Sequence, residues 1–332
     1  MSARLSLFAR AANPVQDALL PAGVQAGHIG TLWNWTLGLC TLVFVLVFGA
    51  LLVALWRAPR GGPEAAPDLS SLSTPERRIH RRVILATGAA TLGLIALLAG
   101  DVITTRALGR LPLKDPVHIE LVGHQWWWEA RYRDADPTRN FTTANELHIP
   151  VGRPVIVTLL SNDVIHSLWI PNLQGKKGLI PGRIATLNLR ADRAGTYRGQ
   201  CAEFCGLEHA LMALLVEAEP NDRYEAWAAA QRTSAPDPAS AVARRGQQVF
   251  LGTSCVMCHA IQGTDANGQF GPNLTHLAGR RTIGAGIFPN SRGYLAGWIA
   301  DPQALKPGVN MPANKLAPDD LQALLAYLET LK

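Results

Sequence analysis

Two long uncharged stretches dominate the first third of the chain. From Thr31 to Trp56 no residue carries a charge, and Trp33, Trp35 and Trp56 sit near the ends of the run. A run of that length crosses a bilayer, and terminal tryptophans match the interfacial belt. A second run, Val83 to Gly100, is shorter but sufficient. Together they predict a membrane hairpin with spans over residues 31–56 and 83–105. The intervening segment, 57–82, holds Arg57, Arg60, Arg77, Arg78, Arg81 and Arg82. Arginine excess marks the cytoplasmic side, so both termini, including an external segment over 1–30, are expected outside. That segment carries Arg4 and Arg10 but no apolar stretch ending in a small-residue cleavage site, so no cleaved signal is expected.

The pattern changes over residues 115–220. Pro116–Val122, Glu146–Ile149, Pro154–Leu160, Ile184–Leu189 and Leu211–Ala218 are short β-rich runs, most of them bounded by Pro, Gly or Asn. Strands at this spacing predict an all-β Greek-key sandwich or barrel. Residues 221–243 read as a helix, Asn221 to Gln231, followed by a semi-extended linker containing Pro236 and Pro238. Residues 244–332 are helical again, with runs at Ala243–Leu251, Tyr294–Ala300 and Pro318–Leu331. Asp319 and Asp320 occupy the first turn of the last run, where the helix dipole favours them.

Candidate chemistry falls on two of these regions. Between two β-rich runs lies Cys201-Ala-Glu-Phe-Cys205-Gly-Leu-Glu-His209-Ala-Leu-Met212, with His166 upstream. Thiolate, imidazole and thioether make a soft donor set that suits copper. Two thiolates this close can bridge two metal ions, with an imidazole on each. Structural zinc also takes Cys and His, but has no use for Met212; a disulfide has no use for either histidine. Met212 is the only methionine between residues 2 and 256.

The second region holds Cys255-Val-Met-Cys258-His259, the spacing of covalent c-type haem attachment. An electron carrier needs a second axial ligand, and Met paired with His raises the potential. Met311 is the one methionine downstream of Cys258; His276 is the alternative. Four of the five cysteines thus fall into two cofactor sites, and Cys40 reads as a small apolar helix residue. The net charge of +6 over 332 residues is spread along the chain, which gives no support to a nucleic-acid partner.

The copper loop resembles the dinuclear copper A loop of cytochrome c oxidase subunit II, and the C-terminal segment resembles a class I cytochrome c. The whole chain resembles the bacterial branch of that subunit with a fused cytochrome c, and Gly123-His-Gln-Trp126-Trp-Trp128 resembles the family's aromatic stretch. The resemblance implies a multi-domain membrane protein: a two-helix hairpin, a cupredoxin-like domain and an all-α cytochrome c domain. It implies copper ligands His166, Cys201, Glu203 through its carbonyl, Cys205, His209 and Met212. Trp126 becomes the electron entry point, and the Glu203 side chain reaches a magnesium ion shared with subunit I, with Asp163 supporting that interface. Subunit I, subunit III and an external donor such as a soluble cytochrome c become the expected partners, at a bacterial inner membrane. There the electrons would reduce oxygen to water, with proton translocation.

One stretch departs from the family. Its usual Glu-x-x-Trp-Thr-x-x-Pro entry to the second helix is here Glu76-Arg-Arg-Ile-His80-Arg-Arg-Val83, so Glu76 and His80 read first as solvated loop charges, with a proton path through either as the open alternative. Two rival functions share the copper motif. A nitric oxide reductase would differ in its partner subunit, and a tethered copper carrier leaves the haem motif without a role.

Overall fold

The computed structural model describes residues 14–58, 62, 66, 69–73 and 76–332. Arg4, Arg10 and Arg60 lie outside these residues. The two apolar runs become helices α1 (Val24–Arg57) and α2 (Glu76–Leu108), both long and apolar enough to cross a membrane. Each extends beyond its uncharged run, because the backbone hydrogen-bond ladder does not stop where side-chain charge begins. Glu76 and His80 are a correction to the expected loop: they lie in the first turns of α2. Glu76 at the helix N-terminus suits the dipole, and the neighbouring arginines are good helix formers.

The β domain consists of two five-stranded sheets. One sheet carries, in spatial order, β3 (Phe141–Ala144), β2 (Trp127–Arg133), β1 (Val117–His124), β5 (Val155–Ser161) and β8 (Ala185–Leu189). The other carries β4 (Glu146–Pro150), β10 (Ala213–Glu219), β9 (Gly195–Cys201), β6 (His166–Ile170) and β7 (Gln174–Leu179). The pairs β1–β5 and β4–β10 are parallel, which gives the Greek-key crossovers. Inward residues such as Leu121, Trp128, Val157, Leu168 and Leu214 fill the space between the sheets. Of the three consecutive tryptophans, Trp128 is this core.

Two additions frame the sandwich. Residues preceding α1 run along it, with Val15 N–H donating to Thr196 O at 2.9 Å and Ala22 N–H to Asn172 O at 2.7 Å. Helix α3 (Asn221–Gln231) packs Trp227 onto His148, ring centroids 4.0 Å apart.

The C-terminal domain follows as α4 (Ala241–Gly252), α5 (Cys255–Cys258), a two-residue pair β11 (Thr282–Ile283) and β12 (Phe288–Pro289), α6 (Arg292–Ala300), α7 (Pro302–Leu305) and α8 (Pro318–Leu328). α4 and α8 cross at Gly246, where a Cβ would sit 1.9 Å from Ala323 O, so only glycine permits this approach. The segment between α3 and α4 is not a free tether. Ala235 N–H donates to Gln262 O at 2.9 Å, and Arg232 donates to Arg139 O at 3.0 Å, so this segment is bound to both domains.

Candidate functional site

The strand order explains why distant residues meet. β6 and β9 are antiparallel neighbours with Leu168 opposite Cys201, so His166 at the start of β6 lies beside the end of β9. β9 and β10 form a hairpin whose long connection, 202–212, carries the remaining donors. Cys201 N–H donates to Met212 O at 2.9 Å and closes the base of that loop.

Five short separations define the cluster. Cys201 Sγ lies 3.7 Å from Cys205 Sγ, 3.8 Å from His166 Nδ1 and 3.2 Å from Glu203 O. Cys205 Sγ lies 3.6 Å from His209 Nδ1 and 3.9 Å from Met212 Sδ. A disulfide would need about 2.0 Å between sulfurs. Two sulfurs each about 2.3 Å from a shared metal in tetrahedral array lie about 3.7–3.8 Å apart, which fits the separation found. His166, Cys201, Cys205 and Met212 are buried, while Glu203 turns its side chain to solvent. The donor set fits a pair of soft metal ions.

Neighbouring residues hold these donors in place. His166 Nε2–H donates to Asp163 Oδ1 at 2.8 Å, which turns Nδ1 toward Cys201. A carboxylate behind a ligating imidazole fixes its tautomer and raises its basicity. Asp163 also accepts from Gln125 N–H at 2.6 Å. Gly123 of β1 leaves room for the His166 ring, since a Cβ there would come within 2.9 Å of Cδ2. The Cys205 carbonyl accepts from Gln125 Nε2 at 2.7 Å and from Trp126 Nε1 at 3.0 Å. Gly206 follows at φ +114°, directly beneath Gln125 and Trp126, where a Cβ would meet both at 3.0–3.1 Å.

The cysteines are electrostatically unlike. The hydrogen bond with Cys205, helped by His166, carries the Cys201 thiol far below its ordinary range against the cost of burial. The same bond and burial push the Cys205 thiol up.

In the helical domain Cys255 and Cys258 lie on one short helix with His259 at its end. His259 Nδ1–H donates to Pro272 O at 2.8 Å, leaving Nε2 as the free ring nitrogen. Burial keeps this imidazole neutral by lowering its pKa. A Cβ at Gly271 would stand 2.7 Å from His259 Cε1, so the ring is packed against bare backbone. Neutral imidazole, held tautomer and two thiols on one turn fit a covalently attached haem. Met311 is half-buried in the loop after α7, where Gln303 donates to its carbonyl at 3.1 Å. His276 spends Nδ1 on the carbonyl of Lys332 at 2.8 Å.

The two domains are joined through a built interface that the sequence did not disclose. Glu146 of β4 accepts from Arg281 N–H at 3.1 Å and from Thr282 N–H at 2.8 Å. Arg281 Nη1 reaches Glu217 Oε1 at 2.7 Å. Lys306, 1% exposed, donates from Nζ to Leu211 O at 2.8 Å and Gly284 O at 3.2 Å. Burial pushes its ammonium down to about 8, against the opposing pull of Glu208 and Cys205. Asn310 Nδ2–H donates to Gln125 O at 2.9 Å. The resemblance places Asp163 at the subunit I interface and not behind His166, although it stands three residues before that histidine; no local signal marks Lys306 or Asn310.

The chain is similar to known proteins over most of its length. The family model for the periplasmic domain of cytochrome c oxidase subunit II matches residues 135–219, and the cytochrome c model matches residues 243–332. Cytochrome c oxidase subunit 2 of Alkalihalophilus pseudofirmus is 34% identical over 325 residues, covering 95% of this chain and 90% of that one. The protein of the same description from Bacillus sp. (strain PS3) is 31% identical over 272 residues, covering 76% and 75%. Among solved structures, the periplasmic domain of subunit II of cytochrome oxidase from Bradyrhizobium japonicum is 27% identical and covers 36% of this chain and 96% of that one, at a TM-score of 0.34. With such similarity along nearly its whole length, the chain belongs to the cytochrome c oxidase subunit 2 family and carries a cytochrome c domain at its C-terminal end.

Proposed function

We propose that the chain is the electron-entry subunit of a haem-copper cytochrome c oxidase, anchored in a bacterial inner membrane by α1 and α2 with both heads on the outer side. The observation that carries the reading is the convergence of two thiols, two imidazoles, a thioether and the Glu203 carbonyl within 3.2–3.9 Å contacts. In this reading Cys201 and Cys205 would supply the thiolates shared by the copper A pair, His166 and His209 an imidazole each, and Met212 and Glu203 O the remaining donors. Cys255 and Cys258 would attach haem c, and His259 and Met311 would ligate its iron. The bound groups supply reversible one-electron chemistry, and oxygen is reduced to water, with proton translocation, in subunit I.

The protein's own contribution is position and potential. Pro272 O aims the His259 ring, and Asp163 aims His166. Burial of the thiols and Met212 excludes water from the donors. Trp126, half-buried with its indole N–H on Cys205 O, serves as an entry point over the loop. In the same reading the Glu203 side chain, exposed to solvent, would reach a magnesium ion shared with subunit I, and subunit III and a soluble cytochrome c are the expected further partners.

The test is flash injection of one electron into haem c of the intact oxidase, followed at the copper absorbance. Copper reduction at the rate of haem oxidation is expected; haem that stays reduced beside oxidised copper would overturn the assignment.

A further inference from the structure

The loop that carries Met311 meets the copper loop at two points and the turn between β1 and β2 at a third. Lys306 Nζ donates to Leu211 O, next to Met212. At Gly308, φ +92°, a Cβ would stand 2.4 Å from Leu207 Cδ2, so the Leu207 side chain of the copper loop packs directly on bare backbone. Asn310 Nδ2–H then donates to Gln125 O, and the same Gln125 donates from its side chain to Cys205 O at 2.7 Å. Asn310 is the neighbour of Met311, and Cys205 is a bridging thiolate in the reading above. A continuous chain of covalent and hydrogen bonds therefore runs from Met311 through Asn310 and Gln125 to Cys205.

We propose that this bridge, Asn310 to Gln125 to Cys205, is the internal path by which the fused cytochrome delivers electrons to the copper loop. It rests on the electron-entry reading and deepens it. The step served is a single-electron transfer: ferrous haem becomes ferric, the copper pair gains one electron, no bond breaks and no proton moves. Trp126 meets the same Cys205 carbonyl from its own indole N–H, so it forms a parallel branch. What sets the Asn310 branch apart is that the cytochrome domain itself makes the contact. Lys306 and the Glu146 contacts hold the domain while the bridge conducts.

Asn310→Leu and Asn310→Asp test this in the complete oxidase. Both keep the approximate size of the side chain and remove the N–H donor. Flash-injected electrons should reach copper several-fold more slowly in both variants. The copper resonance signal, the haem potential and oxygen consumption from chemically reduced copper should be unchanged. Independently of turnover, amide hydrogen exchange should quicken at residues 125–126 and 206–207, and stay as in the parent at Ala213, whose N–H is held by Ala285 O across the interface. Unaltered transfer in a fully metallated Asn310→Leu oxidase overturns the bridge. Slow transfer accompanied by fast exchange at Ala213 also overturns it, since Asn310 would then act by docking alone. A parent enzyme with no haem-to-copper transfer at all sinks the electron-entry reading itself, a separate outcome.

Discussion

In the β-sandwich, the donors come from the start of β6, the end of β9 and the loop leading into β10. In the helical domain, Cys255, Cys258 and His259 occupy five consecutive positions. The first cluster exists only because two antiparallel strand pairings bring its parts together. The second is written in one turn of chain and asks the fold mainly to orient a ring. A site assembled by tertiary structure should be damaged by changes in its supports; a locally encoded site should keep its group and alter only its tuning.

The largest expected effect is Cys201→Ser, which removes one bridging sulfur. Copper content and the mixed-valence resonance signal should be lost while covalent haem stays, read by metal analysis and pyridine haemochrome; retained copper would end the distinction. Met311→Ala should leave haem attached through Cys255 and Cys258 but lower its potential, since the thioether favours reduced iron. Potentiometry checks it, and an unchanged potential would point to His276. Gly271→Ala pushes a methyl against the His259 ring and should cost about 1–3 kcal/mol of domain stability by overpacking. Melting monitored at the haem band should report this with no change at the copper site.

Asp163→Asn sharpens the contrast, because it touches no donor atom of the copper cluster. Loss of the carboxylate behind His166 should weaken copper binding about 10–100-fold, measured by competition with a copper chelator. An affinity equal to the parent's would show that the copper cluster is as self-sufficient as the haem motif. The smallest effect is expected from Trp126→Phe, which keeps most of the apolar area and removes one of two hydrogen bonds on Cys205 O. It should slow haem-to-copper transfer less than Asn310→Leu does, with the copper spectrum retained. Loss of copper or a lowered melting temperature would instead mark the indole as packing.

Legibility followed the same division. The apolar runs, the Cys255–His259 motif and the Cys201–Met212 loop are local chemistry, and each could be read without knowing any partner. β7, Gln174–Leu179, was missed because Gly175, Lys176, Lys177 and Gly178 carry no alternating apolar pattern; it is an edge strand. β2 hides in a tryptophan run that also reads as a cluster. The domain interface was nearly silent. Its only trace is charge: residues 115–220 carry ten basic and twelve acidic side chains, residues 244–332 eight and five. Such small imbalances are screened over about 8–10 Å at physiological salt. They gave no hint that Arg281 and Lys306 would be set against Glu217 and Glu208. A tether at an effective concentration of order mM is therefore the weaker part of the picture, because the docked contacts hold the domains together.

Glu146 makes that docking specific to this pair of domains. Its side chain, 3% exposed on β4, gives both oxygens to N–H groups of Arg281 and Thr282 in the cytochrome. A gene separated at the 232–240 segment would yield a β-sandwich with a carboxylate whose partners are gone, and a cytochrome with two bare amides. A cytochrome transplanted from a different fusion would meet the same carboxylate without the N–H pair to answer it. The two halves therefore fit as one matched surface and not as exchangeable modules.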